Sequence, residues 1–581
     1  MLNHPWGMTS ALPDRPPSTP PDWLHCGRGA SAQDPVGCRG IQVPGNRACL
    51  AHLSQRQRRR YGAGLVPGAD IDHRGTVFTG PLLHRLLNAL RAPDTGRPEI
   101  GNARFDEATF ADPVMFNGAA FAGDAWFTGV TFKSDAWFDK VTFADGALFS
   151  STVFERQAVL RWVTFTGFAA FDNVTFTNGA SFGWATFTRG VIFQGMTSAG
   201  DLQFDAAQFE TAERLGPLVC GSTVDLDGAV FGSPVTVEIA ARKLLLRRTQ
   251  WVSTAALRLR HAEVDLAGAL LEHPMTLVAE PAPFTNWRGD CLEGLLAGWD
   301  PGVRVRDVAG VDLAHLSLTD TDLSGCRFAG AVHLDQLRLE GRTIFASPPK
   351  GWSRRRTLAE EHYWRAATAG RPALGQRPSK REWEPGSNHP DLERTSGPET
   401  LAAVYRQLRK ALEDAKNEPG ADDFYYGECE MRRHDNSPGT TWSERVLLTV
   451  YWAVSGYGLR ATRALVWLAV TMTITIFVMM LWGIPIDSPK PTTTGRQVRA
   501  GRTITLVTDT PDPANPTGPL VGRLTTDRFE KALRTVINSV VFRSSGQELT
   551  TAGTYTEMTS RLTEPLLLGL AILAIRNRVK R

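Results

Sequence analysis

From Phe105 to Phe193 a large apolar residue returns at alternating intervals of five and six: Phe105, Phe110, Phe116, Phe121, Phe127, Phe132, Phe138, Phe143, Phe149, Phe154, Leu160, Phe165, Phe171, Phe176, Phe182, Phe187 and Phe193. A helix repeats its buried face about every 3.6 residues and a flat strand every two, so neither element carries this pattern. Two positions before most of these residues stands a small one, among them Ala103, Ala108, Ala119, Ala125, Val130 and Ala136. One small and one bulky residue pointing inward from each side, with a corner after every side, describes a chain that stacks coil on coil. The pattern predicts a solenoid filled by a phenylalanine ladder.

The phrase AWFTGVTFKSDAWFDKVTFADGALF, residues 125–149, resembles the pentapeptide-repeat family, whose unit is roughly Ala-(Asp/Asn)-Leu/Phe-X-X. The resemblance implies a mainly β protein, a right-handed quadrilateral β-helix, here over residues 67–346. Sides in that family are five residues long. The alternation of five and six therefore implies a bulged corner on alternate sides, or coils of about 22 residues. A strict five-step version returns at Leu313, Leu318, Leu323 and Phe328, whereas between 210 and 305 phrases such as VDLDGAVF and VDLAGALL look like degenerate coils.

At 581 residues and 42% hydrophobic content the chain is long enough for several domains. The formal net charge of +4 gives no electrostatic footprint for nucleic acid. Residues 101–210 hold 12 Asp and Glu against 6 Lys and Arg, a net −6. Some pentapeptide-repeat proteins mimic DNA and bind topoisomerases, but that mimicry needs a dense acidic surface and this one is dilute. Seven scattered cysteines make no disulfide framework, and the N-terminus has no apolar run of signal-peptide length, so the bulk of the protein is expected in the cytoplasm.

Residues 1–22 are Pro-rich and read as a disordered leader, followed by a small Cys/His segment over 23–66. PLLHRLLNALRA predicts a helix near 80–91 inserted after a first coil at Ile71 and Phe78, placed to cover the open solenoid. Residues 347–398 read as a linker and 399–434 as a helical hairpin with Leu401, Tyr405, Leu408 and Leu412 on one face. Residues 442–460 fit a helix lying on a membrane surface, with Arg460 and Arg463 toward lipid phosphates.

Residues 464–483 run without a charge between Trp467 and Trp482, enough to cross a hydrocarbon core of about 30 Å. An external polar segment over 484–528 and an amphipathic helix over 529–548 lead to a second expected span, 549–575. That span contains Glu557, Arg561, Glu564 and Pro565, and its charged residues should face a pore or pair with one another, because an unpaired charge in mid-membrane costs several kcal/mol. The closing RNRVKR is a basic flank that stays inside. This order is similar to bacterial membrane proteins of actinobacterial type that join pentapeptide repeats to a two-span, ion-channel-like module. No filter sequence stands where a channel would carry one. VSGYG, residues 454–458, precedes the first span and reads as a break between helices.

Cys26, Cys38, Cys49 and His52, spaced C-x11-C-x10-C-x2-H, form a set that could hold a structural zinc in a segment too poor in apolar residues to fold alone; His25 is an alternative ligand. The spacing lacks the paired C-x2-C knuckle, so the same residues also read as unconnected thiols. No phosphate loop, HExxH or nucleophile elbow is present, and Cys429 lies among acidic residues that disfavour its thiolate. The expectation is a non-enzymatic scaffold or sensor on a membrane module, with the bilayer, a protein partner and further copies of the chain as partners. An ion pathway gated by the β-helix is the alternative.

Overall fold

The computed structural model describes residues 19–286, 288–349, 355–369, 382–383, 395–485, 490–495, 501, 506–509, 511–541 and 546–579. Most of the expected leader and most of the expected linker beyond 370 lie outside them. The chain divides into two units, Met1–Ser396 with Val404–Asn417, and Gly397–Ala403 with Glu418–Arg581.

In the first unit short parallel strands stack into a β-solenoid of about 11 turns. Ala103 pairs with Ala125, Ala125 with Ala147, Phe121 with Phe143 and Phe143 with Phe165, each 22 residues on. Four sides make a coil, so two steps of five and two of six complete it. The corners alternate in kind. The five-residue steps close as β-turns, with Ala108 N donating to Phe105 O and Ala119 N to Phe116 O, both at 2.9 Å. The third residue of each turn is left-handed: Glu107, Gly118, Gly129, Lys140, Ser151, Trp162, Asn173, Trp184 and Gly195. The six-residue corners hold the extra residue and send amides to the next coil, as Val114 N does to Asp135 O at 3.0 Å.

The whole Phe105 to Phe193 ladder is buried. Rings stack on the coil above, Phe127 on Phe149 at 4.8 Å and Phe143 on Phe165 at 5.2 Å, and meet the neighbouring side edge to face, Phe143 against Phe149 at 6.0 Å. Outside, Asx side chains tie coil to coil: Asn102 Oδ1 accepts Asp124 N at 3.1 Å and Asp124 Oδ1 accepts Gly146 N at 3.0 Å. This satisfies corner amides that a two-residue strand cannot.

Between 210 and 305 the coil tightens. Two register shifts in the strand Arg214–Asp225 carry the pairing from Leu215 with Val237, through Leu218 with Ile239, to Thr223 with Lys243. From there Phe231 pairs with Trp251 and Trp251 with Leu271, a spacing of four five-residue sides. The irregular appearance of this stretch reflects strands that run through their corners, Arg214–Asp225 and Val235–Leu245 among them.

Both ends of the solenoid carry non-repeat structure. Residues 19–66, with helix α1 (Gln55–Ala63), lie against the first coil: Ile41 N donates to Arg74 O at 2.8 Å, and the Arg74 guanidinium sits 5.0 Å from the Trp23 ring. Helix α2 (Gly80–Ala89) buries Leu82, Leu83, Leu86 and Leu87. Its ten residues lengthen the first coil, so that Phe78 pairs with Phe110, 32 residues on. Towards the other end, part of the expected linker is helix α3 (Ala359–Thr368), with Glu360 Oε1 accepting the Ala329 amide at 2.8 Å. Glu361 is fully buried, held by Arg355 at 2.5 Å, Arg365 at 2.8 Å and the Tyr405 hydroxyl at 2.5 Å.

Tyr405 belongs to helix α4 (Pro398–Asp414), and helix α5 (Glu418–His434) follows. The expected hairpin divides between the units, because Tyr405 closes the Glu361 cluster while Tyr426 and Cys429 of α5 pack with Leu448 and Tyr457. In the second unit, helix α6 (Trp442–Ser455) ends at left-handed Gly456, Tyr457 and Gly458, so VSGYG is a break between helices. Helix α7 (Ala461–Val478) continues as a π-turn, Met479–Gly483. After a short hairpin of Thr492–Gly495 with Leu506–Asp509 come helix α8 (Thr526–Val540) and helix α9 (Thr551–Val579), which runs through Pro565. Ala461–Gly483 and Thr551–Arg576 are long and apolar enough to cross a membrane. Their contact is close: a Cβ on Gly553 would come 2.2 Å from Gly483 O. Arg528 closes the end of α7 with hydrogen bonds to Met480 O at 2.7 Å and Ile484 O at 2.6 Å.

Candidate functional site

Three places gather chemistry-bearing side chains. The first is the Cys/His segment. Cys26, Cys38, Cys49 and His52 converge, with donor atoms all within 4.8 Å of one another. Cys26 Sγ lies 3.5 Å and Cys49 Sγ 3.4 Å from His52 Nδ1, and Cys38 Sγ lies 3.6 Å from Cys49 Sγ. The extended Cys49 N-cap of the short helix Leu50–His52 turns Cys49 and His52 the same way, and Cys38 N bonds to Arg28 O at 3.0 Å. A hydrogen bond from Cys49 lowers the Cys38 thiol to about 5, assisted by the Gly40 amide and opposed by burial. The same bond, with burial, raises Cys49. His25, the alternative ligand, is not one of the four donors that converge; its backbone carbonyl accepts Gln42 Nε2 at 2.8 Å.

The second is Glu564. It is fully buried, with Thr475 Oγ1 of α7 donating to Oε1 at 3.1 Å and Ser539 Oγ of α8 to Oε2 at 2.7 Å. A single carboxyl thus joins α7, α8 and α9. Glu557 and Arg561 are apart from it and pair with each other one turn apart on α9 at 2.8 Å. Ser539 and Thr475 were not legible as partners, because residues 25 and 89 positions from Glu564 meet only through helix packing.

The third is an exposed aromatic pair on the solenoid. Trp162 and Trp184 are 43% and 51% exposed and stack at 5.4 Å between rings. Both stand at left-handed corners, φ 54° and 55°. The Arg161 guanidinium lies 5.1 Å and Lys140 Nζ 5.8 Å from the Trp162 ring. A shallow depression beside Trp184 is lined by Gln203, Asp205, Asp225, Asp227 and Arg248. Sequence reasoning followed the inward-facing ladder and passed over this pair. Its signal was the 22-residue interval between two tryptophans, equal to one coil.

A polar cluster on the solenoid was also missed. Glu293 accepts Arg260 Nε at 2.7 Å and Phe284 N at 2.9 Å, and faces His261 Nε2 at 3.0 Å. Arg260 also donates to Glu280 O at 2.7 Å, so the cluster clamps the insertion that follows Ala279.

No curated protein and no solved structure matches the chain. Residues 100–142 match the family model described as pentapeptide repeats (9 copies), within the most regular part of the ladder. With four-sided coils filled by that ladder on either side of the match, the chain is a pentapeptide-repeat protein.

Proposed function

We propose that this chain is a non-enzymatic, membrane-anchored scaffold or sensor, in which the solenoid receives a protein partner and the second unit holds the chain, as a homo-oligomer, in a lipid bilayer. The observation that carries the scaffold reading is the Trp162 and Trp184 pair. A left-handed backbone costs an ordinary residue about 1–2 kcal/mol and glycine almost nothing. Equivalent corners use glycine at Gly118, Gly129 and Gly195 and polar residues at Glu107, Lys140, Ser151 and Asn173, so what sets the pair apart is exposed aromatic surface at a strained position. Two tryptophans standing there, stacked and exposed, are poorly explained by folding and well explained by binding, since Trp and Arg dominate interface energetics. Asp205 and Asp225 beside them suit a partner offering an Arg or Lys side chain, whereas Asp227 is already paired with Arg247 at 2.5 Å.

The test is a photo-crosslinking residue placed at Lys140, next to the pair, in cells. A discrete adduct that disappears when Trp162 and Trp184 are both replaced by Gly, with thermal stability kept, supports the reading. An adduct pattern indifferent to both replacements sinks it.

A second reading, an ion pathway gated by the solenoid, rests on Glu564. A carboxyl buried where three helices meet, two of them long and apolar enough to cross a bilayer, is the kind of group that lines or controls such pathways. Planar-bilayer recording of the purified chain separates the readings. Currents above background that change in Glu564→Gln favour the pathway, and silence leaves the scaffold.

A further inference from the structure

We propose that Cys26, Cys38, Cys49 and His52 bind one zinc ion, and that this ion locks the segment over residues 23–66 onto the open first coil of the solenoid. Zinc takes thiolate sulfur at about 2.3 Å and imidazole nitrogen at about 2.0–2.1 Å in a tetrahedron, which sets ligand atoms about 3.6–3.8 Å apart. Three of the six edges are close to those lengths, 3.6 Å between Cys38 and Cys49 and 3.4 and 3.5 Å from His52 Nδ1 to Cys49 and Cys26, and all six lie within 4.8 Å, so a small side-chain adjustment completes the tetrahedron. A disulfide would need sulfurs about 2.05 Å apart and would leave two of the four donors without a role. A three-sulfur, one-nitrogen set of this shape selects zinc over the oxygen-seeking cations. Arg28 supplies compensating positive charge, its Nη1 donating to His52 O at 3.1 Å while its carbonyl accepts Cys38 N at 3.0 Å.

The segment has little else to hold it. Helix α1 buries none of its residues, and Val36, Val43, Leu50 and Leu53 are its main apolar core besides Cys49. What it covers is valuable to the fold. His73 is buried against Phe78 and Phe105, and Tyr61 reaches its Nε2 at 3.2 Å. Two glycines mark the fit. A Cβ on Gly75 would lie 2.6 Å from Arg39 O, and one on Gly40 would lie 2.7 Å from Cys49 Cβ and 3.2 Å from Thr76 Oγ1. The ligand loop is thus pressed directly on the first coil, and metal binding energy becomes energy that closes the solenoid end.

The full chain, purified in detergent without a chelating tag, should carry one zinc per chain through gel filtration. Cys38→Ser with Cys49→Ser should lose it, and Cys291→Ser should keep it. Where the double variant does not fold, the parent decides. Cobalt exchanged for zinc should give thiolate charge-transfer absorption and the intense visible bands of a tetrahedral site. Stripping the metal should speed hydrogen exchange at residues 71–78 and leave residues 142–165 unchanged. Three results overturn the proposal: protein without zinc whose Cys26, Cys38 and Cys49 alkylate as fast as exposed Cys291, a Cys38–Cys49 disulfide in non-reducing peptide maps, or metal removal without effect on residues 71–78.

Discussion

Glu360 accepts the Ala329 amide through one oxygen, and its other oxygen is buried without a hydrogen-bond partner among the described residues. Burial raises its carboxyl to about 7, against opposing help from the Ala329 and Phe328 amides and Arg327. The raised folded value means that stability is fully present below the unfolded value near 4.5 and is lost as pH rises through about 7. That interval corresponds to about 3 kcal/mol. Neighbouring Glu361 behaves oppositely: burial would raise it, but Arg355 and Arg365 hold it down at about 2, so its contribution is constant above pH 5 and fades only in acid. His73 and His362, both lowered by burial to about 4, favour folding as pH rises through the same window that weakens Glu360. The difference between variant and parent therefore carries the signal, rather than the raw profile. Glu360→Gln keeps the acceptor for Ala329 and removes the titration. In denaturant unfolding, its stability relative to the parent should climb by up to about 3 kcal/mol from pH 5 to pH 8. A difference that stays flat over that range would mean that Glu360 is not the buried neutral acid described.

At the scale of the coil, Phe143 touches Phe121 at 4.9 Å, Phe165 at 5.2 Å and Phe149 at 6.0 Å, so one ring links two neighbouring coils and two sides. Phe143→Ala should cost about 3–5 kcal/mol, seen as an earlier unfolding transition of the solenoid in the full chain; a shift worth less than about 1 kcal/mol would contradict the ladder. The ladder was legible because every inward side chain obeys one local period, and each pair in contact is separated by a fixed interval. The corners were legible only as an interval, since which of two corner types takes the extra residue depends on backbone φ at Glu107 or Lys140, residues with no intrinsic left-handed preference. The coils from 210 to 305 read as degenerate because two small register shifts change the period in mid-strand. Helix α3 read as linker because its buried face is polar: Glu361 is buried by virtue of Arg355, Arg365 and Tyr405, partners 6, 4 and 44 residues away, while Glu360 meets the Ala329 amide and His362 meets Thr357 Oγ1. The Cys/His set was legible as a four-ligand set beside the reading as unconnected thiols, but its geometry was not, because C-x11-C-x10-C fixes no distances until the segment has folded on the first coil.

For the whole molecule, the functional proposals depend on which side of a membrane each part occupies. Two helices are long and apolar enough to cross a bilayer, and between them stands the exposed hairpin of Thr492–Gly495 with Leu506–Asp509. Basic flanks stay on the cytoplasmic side, and they occur at Arg460 and Arg463, at the start of the first helix, and in RNRVKR, which begins in the last turn of the second. If both helices cross, that rule predicts the solenoid and the C-terminus on the inside and the hairpin outside. Thr493→Cys, on the exposed hairpin, should react in intact cells with an impermeant thiol reagent, and Asn577→Cys should react only after permeabilisation. The parent chain is its own control. Cys291 is its one exposed cysteine among the described residues, and it lies on the solenoid, so the parent should stay unlabelled until the membrane is opened. Labelling at Asn577 in intact cells would reduce the chain to one crossing, with α9 continuing to the outer face. Glu564 could then not serve a two-span pathway, and the ion-conducting reading would fall, while the tryptophan pair on the solenoid would still support a tethered scaffold. Labelling of the parent at Cys291 would place the solenoid outside and remove the cytoplasmic partner as well. The two cysteines thus separate the hypotheses before any partner or ion is identified.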